Sequence, residues 1–216
     1  MHRKQIFTGG KDISEAKKVL VMLHGRGAFA EDILSLAGYF RLNDYALIAP
    51  QATNNTWYPL SFLAPPQQNE PWLSSALDLL SEVVSDINEK GIVSEHIYFL
   101  GFSQGACLTL EFVTRNARKW GGVVAFTGGL IGDNIYTQNY RGDFAGTSVF
   151  IGTSDPDPHV PVERVHATTQ ILKQMGADVT EKVYPDMGHT ISQDEIRIAN
   201  ELIFTQQSNL NKKIQV

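Results

Sequence analysis

The sequence predicts a single α/β domain over residues 1–216, with a mostly parallel sheet covered by helices on both faces. Two observations carry this. Short, unbroken runs of apolar residues recur along the chain, the pattern of strands buried on both faces. Segments of helical period separate them. A third observation points to where function lies. The glycine-rich and charged segments fall at the ends of these strand-like runs, and parallel sheets bind ligands at the carboxyl ends of their strands.

Composition agrees with a globular domain. With 43% hydrophobic and 19% charged residues, 216 residues are enough to bury a sizeable core. The net charge of −5 argues against a nucleic-acid surface and against attraction to anionic membranes. The one cysteine, Cys107, rules out an intrachain disulfide and a cysteine-cage metal site, and fits a reducing cytoplasm. The start, Met1-His2-Arg3-Lys4-Gln5-Ile6-Phe7, is basic but no apolar signal region follows it. The apolar run at 19–23 is too short to span a bilayer, so stable membrane insertion is not expected. The chain reads as a cytoplasmic protein with a loose tail at 209–216.

In order, Val19-Leu20-Val21-Met22-Leu23 reads as a buried strand that ends in His24-Gly25-Arg26-Gly27. Residues 31–40 carry Ile33, Leu34, Leu36, Ala37 and Phe40 at roughly helical spacing. Residues 45–49 form a second buried strand, stopped by Pro50. Residues 51–69 have proline and no period, and an aperiodic loop of that length is usually functional. Pro71 opens a helix whose apolar stripe is Leu73, Ala76, Leu77, Leu80, Val83, Val84 and Ile87, closed by Gly91. Strands are expected at 97–100, 122–126, 148–151 and 179–184. Helices are expected from the turn at 103 to about 117 and from Pro161 through Met175. A last helix starts with a capping box, Ser192 with Glu195, and Ile191 and Ile196 sit at staple positions.

The chemistry centres on Gly101-Phe102-Ser103-Gln104-Gly105. A strand runs into it and a helix leaves it, the context in which G-x-S-x-G makes a nucleophile elbow. Glycine at both ends relieves crowding and exposes Ser103 at a helix N-terminus, where backbone N–H groups stabilise negative charge. A serine hydroxyl needs a base, and the base needs a carboxylate to hold its tautomer. Of the later histidines, His166 falls on a helix and His159 lies within the acid-bearing loop. His189, on a strand-end loop after Gly188, is the expected base. Asp155 and Asp157 both qualify as the acid. The oxyanion donors are expected to be the N–H of Gln104 and a backbone N–H of the loop after the first buried strand, that of Arg26. His24 is expected to be structural.

Leu23-His24-Gly25-Arg26-Gly27, Gly101-Phe102-Ser103-Gln104-Gly105, Asp157-Pro158-His159-Val160-Pro161 and Gly188-His189 together resemble the phospholipase/carboxylesterase family of α/β-hydrolases. The resemblance runs from about residue 19 to the last helix. It implies an α/β-hydrolase fold without a large cap domain. It also implies a serine carboxylesterase that works on a small-molecule ester through an acyl-enzyme, without metal or cofactor. It selects Asp157 as the acid that precedes Pro-x-Val-Pro. Two residues appear inserted before that motif, which keeps Asp155 as the alternative. Arg26 stands where acyl-protein thioesterases usually carry an apolar residue, and Gly27-Ala28 resembles the small bacterial esterases. The resemblance also places Trp57, Phe62 and Leu63 at the acyl pocket, with anchoring of the long loop as the alternative role. The Arg26 side chain is left to meet a polar substrate group or solvent. The alternatives to a carboxylesterase are an acyl-protein thioesterase or lysophospholipase acting on long acyl chains, and a non-catalytic ligand-binding protein of the same fold. The resemblance leaves homodimerisation open.

Overall fold

A computed structural model describes residues 1–205; the tail at 209–216 lies outside them. Seven strands form one sheet: β1 (Ile6–Gly10), β2 (Lys18–Leu23), β3 (Tyr45–Pro50), β4 (Ile97–Phe102), β5 (Gly122–Phe126), β6 (Ser148–Asp155) and β7 (Asp178–Pro185). Their order across the sheet is β1-β3-β2-β4-β5-β6-β7, with β1 antiparallel to β3 and every other pair parallel. Five helices cover it: α1 (Ala30–Ser35), α2 (Trp72–Glu89), α3 (Gln104–Arg115), α4 (Val162–Gln174) and α5 (Gln193–Leu202). This is the α/β-hydrolase architecture, and no large cap domain stands over the sheet among the described residues.

The unbroken apolar runs serve two cores. Side chains alternate across a strand. In β2, Val19, Val21 and Leu23 enter one core while Leu20 and Met22 enter the other. In β4, Ile97 and Phe99 divide in the same way from Tyr98 and Leu100. The first core lies under α2, α3 and α4 and contains Leu80, Phe112, Trp120 and Leu172. The second lies under α1 and α5 and contains Ile33, Phe150, Ile198 and Phe204. A strand buried on both sides has no polar face to alternate with, which is why the runs are continuous.

Several elements depart from the expectation. Strand β1 carries no strong signal of its own: it is short, half exposed and ends in Gly9-Gly10. Its partner makes it a strand, with Ile6 opposite Pro50 and Gly10 opposite Ala46. The first helix is shorter than expected, ends at Ser35, and continues as a 3₁₀ turn over Leu36–Tyr39. On α2 the buried stripe takes Leu79, while Leu77 is only half buried. The 51–69 segment is ordered by two 3₁₀ turns, Thr53–Asn55 and Pro66–Asn69. Buried Asn69 braces it, accepting the Leu60 N–H (2.8 Å) and donating to the Ser61 carbonyl (3.0 Å). Strand β6 runs four residues beyond Ile151, paired with β7 as far as Asp155 opposite Pro185.

Candidate active site

Strand β4 ends in a turn too tight for side chains at its glycines. A Cβ on Gly101 would strike the Gly105 backbone, and one on Gly105 would strike the carbonyls of Leu23, the last residue of β2, and of His24 after it. Between them Ser103 sits at φ 55°, ψ −120°, a conformation unfavourable for a residue with a side chain. Its N–H is held by the Phe126 carbonyl of β5 at 2.9 Å. The strained serine is thus locked between the central strands and the start of α3.

His189 arrives on the loop between β7 and α5. Its Nε2 lies 2.8 Å from Ser103 Oγ and its Nδ1 lies 2.8 Å from Asp157 Oδ2. A carboxylate can only accept, so Nδ1 carries the proton and Nε2 is free to accept from the serine hydroxyl. The other Asp157 oxygen, Oδ1, accepts the N–H groups of His159 (2.8 Å) and Val160 (2.9 Å). Burial pushes the Asp157 carboxyl up. The His159 N–H, the His189 ring and the Val160 N–H outweigh it, so the group ionises below the ordinary carboxylate range. Asp155 is exposed at the end of β6, and its carbonyl accepts the Asp186 N–H at 3.0 Å. Fully buried Ser154 ties the two loops together, since its Oγ accepts the Gly188 N–H at 2.9 Å.

The remaining histidines have other partners. The His159 ring stands edge-on to His189, with centroids 4.9 Å apart. His166 is exposed on α4, and its Nδ1 is 2.6 Å from Glu181 Oε1. His24 is buried; its Nε2 accepts the Ala52 N–H at 3.1 Å, and its Nδ1 lies 2.7 Å from the Gly25 carbonyl. Desolvation lowers its pKa and keeps the ring neutral, in keeping with a structural role.

The loop after β2 packs onto the serine, and a Cβ on Gly25 would stand 3.6 Å from the Ser103 Cβ. The Gln104 N–H is the first of α3 and has no partner within the helix. The Arg26 N–H donates to no carbonyl among the described residues. The side chains of these two residues do something the sequence did not reveal: both clamp the 56–60 loop. The Arg26 guanidinium donates to Thr56 Oγ1 (3.0 Å) and to the carbonyls of Pro59 (2.8 Å) and Leu60 (2.6 Å). Gln104 accepts the Trp57 N–H (3.0 Å) and donates to the Tyr58 carbonyl (2.8 Å). Arg26 is exposed, so its guanidinium braces this loop while still facing solvent.

A cleft of about 470 Å³ opens at Ser103, walled by Tyr58, Leu60, Phe62, Cys107 and Val160. Phe62 lies where the sequence placed it. Trp57 does not line the cleft: its indole is fully buried, donates to the His24 carbonyl at 2.9 Å and packs on the His24 ring. Its role is to anchor the loop. Leu63 packs half buried against the first core and is not on the cleft wall either. Further wall residues were missed, Cys107 and Val160 among them. Cys107 lies one helical turn after Ser103, hence on the same face, and Val160 follows Asp157 by three positions. Cys107 is buried and its thiol is pushed up to about 12, so it acts here as a small apolar surface.

The phospholipase/carboxylesterase family model matches residues 10–207. The crystal structure of a phospholipase/carboxylesterase from Dyadobacter fermentans superposes with a TM-score of 0.94 at 58% identity, covering 94% of this chain and 98% of that one. Acyl-protein thioesterase 1 of Saccharomyces cerevisiae is 28% identical over 206 residues, 85% of this chain and 90% of that protein. A probable carboxylesterase SOBER1-like of Arabidopsis thaliana is 28% identical over 154 residues, 71% of this chain, and the match spans 58% of that relative's length. No helix among the described residues is long and apolar enough to cross a membrane. On the fold, the elbow and these likenesses, the chain belongs to the phospholipase/carboxylesterase family of ester hydrolases.

Proposed function

We propose that this chain is a serine carboxylesterase with Ser103 as nucleophile, His189 as base and Asp157 as the acid that orients it. The observation that carries the reading is the unbroken chain of two 2.8 Å contacts from Asp157 through His189 to Ser103 Oγ. In acylation Ser103 Oγ bonds to the ester carbonyl carbon as His189 Nε2 takes the hydroxyl proton. The carbonyl oxygen becomes an oxyanion and accepts from the Gln104 and Arg26 N–H groups. His189 then gives its proton to the departing alcohol oxygen as the C–O bond breaks. Water, activated by the same ring, releases the carboxylic acid from the acyl-serine.

Phe62 is assigned to the acyl side of the cleft, whose wall is closed by the buried Tyr58 and Cys107. Closure of that wall by buried side chains is read as favouring short acyl groups over the long chains of an acyl-protein thioesterase or lysophospholipase. The single buried cysteine suits a reducing compartment, so the enzyme is assigned to the cytoplasm. A fluorophosphonate probe tests the nucleophile. It should label the wild type, fail to label Ser103→Ala and label His189→Ala far more slowly. Folded wild type that stays unlabelled would overturn the reading. A series of ethyl esters from acetate upward tests the acyl side, and kcat/KM that keeps rising to palmitate would replace the carboxylesterase with the long-chain rival.

A further inference from the structure

A second apolar trough, of about 440 Å³, lies on the opposite side of His189 from the acyl cleft. It runs between α1 and the start of the loop into α5. Ile33 and Leu36 form one wall, and Thr190 and Ile191 form the other. Gly25, Ala28, Phe102 and His189 line both this trough and the first cleft, and the Phe102 and His189 rings stand at the border with centroids 5.2 Å apart. Among the described residues no lysine or arginine lines the trough. Its one carboxylate among them is Asp32, exposed in the first turn of α1 and already accepting the Phe29 N–H at 2.7 Å.

We propose that this trough binds the alcohol half of the ester, and that it selects uncharged, bulky alkyl or aryl alcohols. The inference rests on the serine-esterase reading above. An acyl carbon bonded to Ser103 Oγ has three other substituents: the oxyanion, the acyl chain and the leaving oxygen. The oxyanion is directed toward the N–H groups of Arg26 and Gln104. The leaving oxygen must come within hydrogen-bond reach of His189 Nε2, because that atom delivers its proton. The first cleft extends from His189 past the serine to α3, the 58–62 loop and Val160. The second extends from His189 to the two residues after it and to Ile33 and Leu36 of α1 and the turn that continues it. A group attached to the leaving oxygen is therefore delivered to the second trough, and the acyl chain to the first. Apolar walls stabilise an alkyl or aryl group by removing it from water. The lone carboxylate and the lack of a cation disfavour an anionic alcohol such as a phosphate-bearing glycerol.

The test uses butyrate esters of primary alcohols of matched acidity and increasing bulk: ethyl, isobutyl and cyclohexylmethyl. In the wild type kcat/KM should rise about tenfold or more from ethyl to cyclohexylmethyl, the discrimination an apolar pocket gives for several methylenes. The butyrate ester of 4-hydroxybutyrate, with an anionic alcohol, should fall below ethyl. Leu36→Asp, which places charge on the wall, should collapse the cyclohexylmethyl-over-ethyl ratio. Thr190→Trp, a filling change at an exposed position that does not threaten folding, should do the same. In both variants the butyrate-over-acetate ratio, read with ethyl esters, should keep its wild-type value. Equal kcat/KM across the alcohols in the wild type, or variants that shift the acyl ratio instead, would overturn the alcohol site while Ser103 still labels with fluorophosphonate. Loss of that labelling in the wild type would overturn the esterase reading and the alcohol site together.

Discussion

At the level of single residues, the acid is the assignment with the sharpest consequences. Asp157 meets His189 with one oxygen and two backbone N–H groups with the other, whereas Asp155 is exposed at the end of β6. Asp157→Asn should lower kcat by about 10⁴-fold, because an amide favours the wrong imidazole tautomer. Asp155→Asn should change kcat by no more than about threefold, and the reverse ranking would move the acid to Asp155. A pH effect on stability follows from the same contacts. The folded carboxyl ionises below its unfolded value of about 3.9. Its stabilisation is therefore complete above about pH 4 and is lost as pH falls through the lower folded value. The urea midpoint of wild type should exceed that of Asp157→Asn at pH 6, and the gap should narrow at pH 3. The proposed nucleophile and base could be named from the residues because G-x-S-x-G and a glycine-preceded strand-end histidine are local patterns. The residues alone left Asp155 and Asp157 both open as the acid, and only the family resemblance selected Asp157. The decision lay in where β6 ends, and that depends on its pairing with β7. For a related reason the residues left Trp57 open between cleft wall and loop anchor, and did not reveal the Arg26 clamp on the 56–60 loop. Each is defined by a contact with a segment about 30 positions away in sequence, Arg26 with the 56–60 loop and Trp57 with His24.

Elements position these residues through their ends. The N-cap of helix α5, Ser192, lies three residues after His189, and its capping box was readable from Ser192 and Glu195 alone. The Ser192 Oγ accepts the Glu195 N–H at 3.2 Å, and the Glu195 carboxylate accepts the Ser192 N–H at 2.6 Å. What the local pattern did not reveal is that Glu195 is fully buried against Gly152 of β6, where any Cβ would collide with it. Burial pushes its carboxyl above the ordinary range despite the bonds from Ser192. The cap therefore also joins the start of α5 to the strand that carries the acid. Ser192→Ala should cost about 1 kcal/mol of stability, as loss of an N-cap does, measured by urea unfolding. A loss indistinguishable from zero would mean that the cap does not hold this junction. Strand β1 shows the opposite case: its propensity is weak, and only the ladder to β3 makes it a strand. Strands with their own apolar runs were legible to within a residue or two, except at the end of β6, which pairing with β7 carries four residues further; β1, defined by its neighbour, was not legible.

Across the whole molecule, the proposed triad joins parts of unequal depth. Ser103 follows β4, the middle strand of the seven, with both faces of that strand buried. His189 follows β7, which is at the edge of the sheet and mostly half buried. The 186–191 loop is held to the body by few bonds: Asp186 N–H to the Asp155 carbonyl, Gly188 N–H to Ser154 Oγ, and the His189 ring to Asp157 and Ser103. Segments with few buried apolar contacts open locally at lower free energy than the core. The three tryptophans provide a contrasting probe, since Trp57 and Trp120 are fully buried in the first core and Trp72 packs against it. Their fluorescence follows the collapse of the sheet and its α2–α3 layer. Urea should therefore remove esterase activity at a lower midpoint than it shifts tryptophan emission, with activity returning fully on dilution. Hydrogen exchange at subdenaturing urea should be faster at 186–191 than in β2 and β4. Coincident midpoints for activity and emission would mean that the base loop unfolds only with the core, and that the edge position of β7 does not weaken the site.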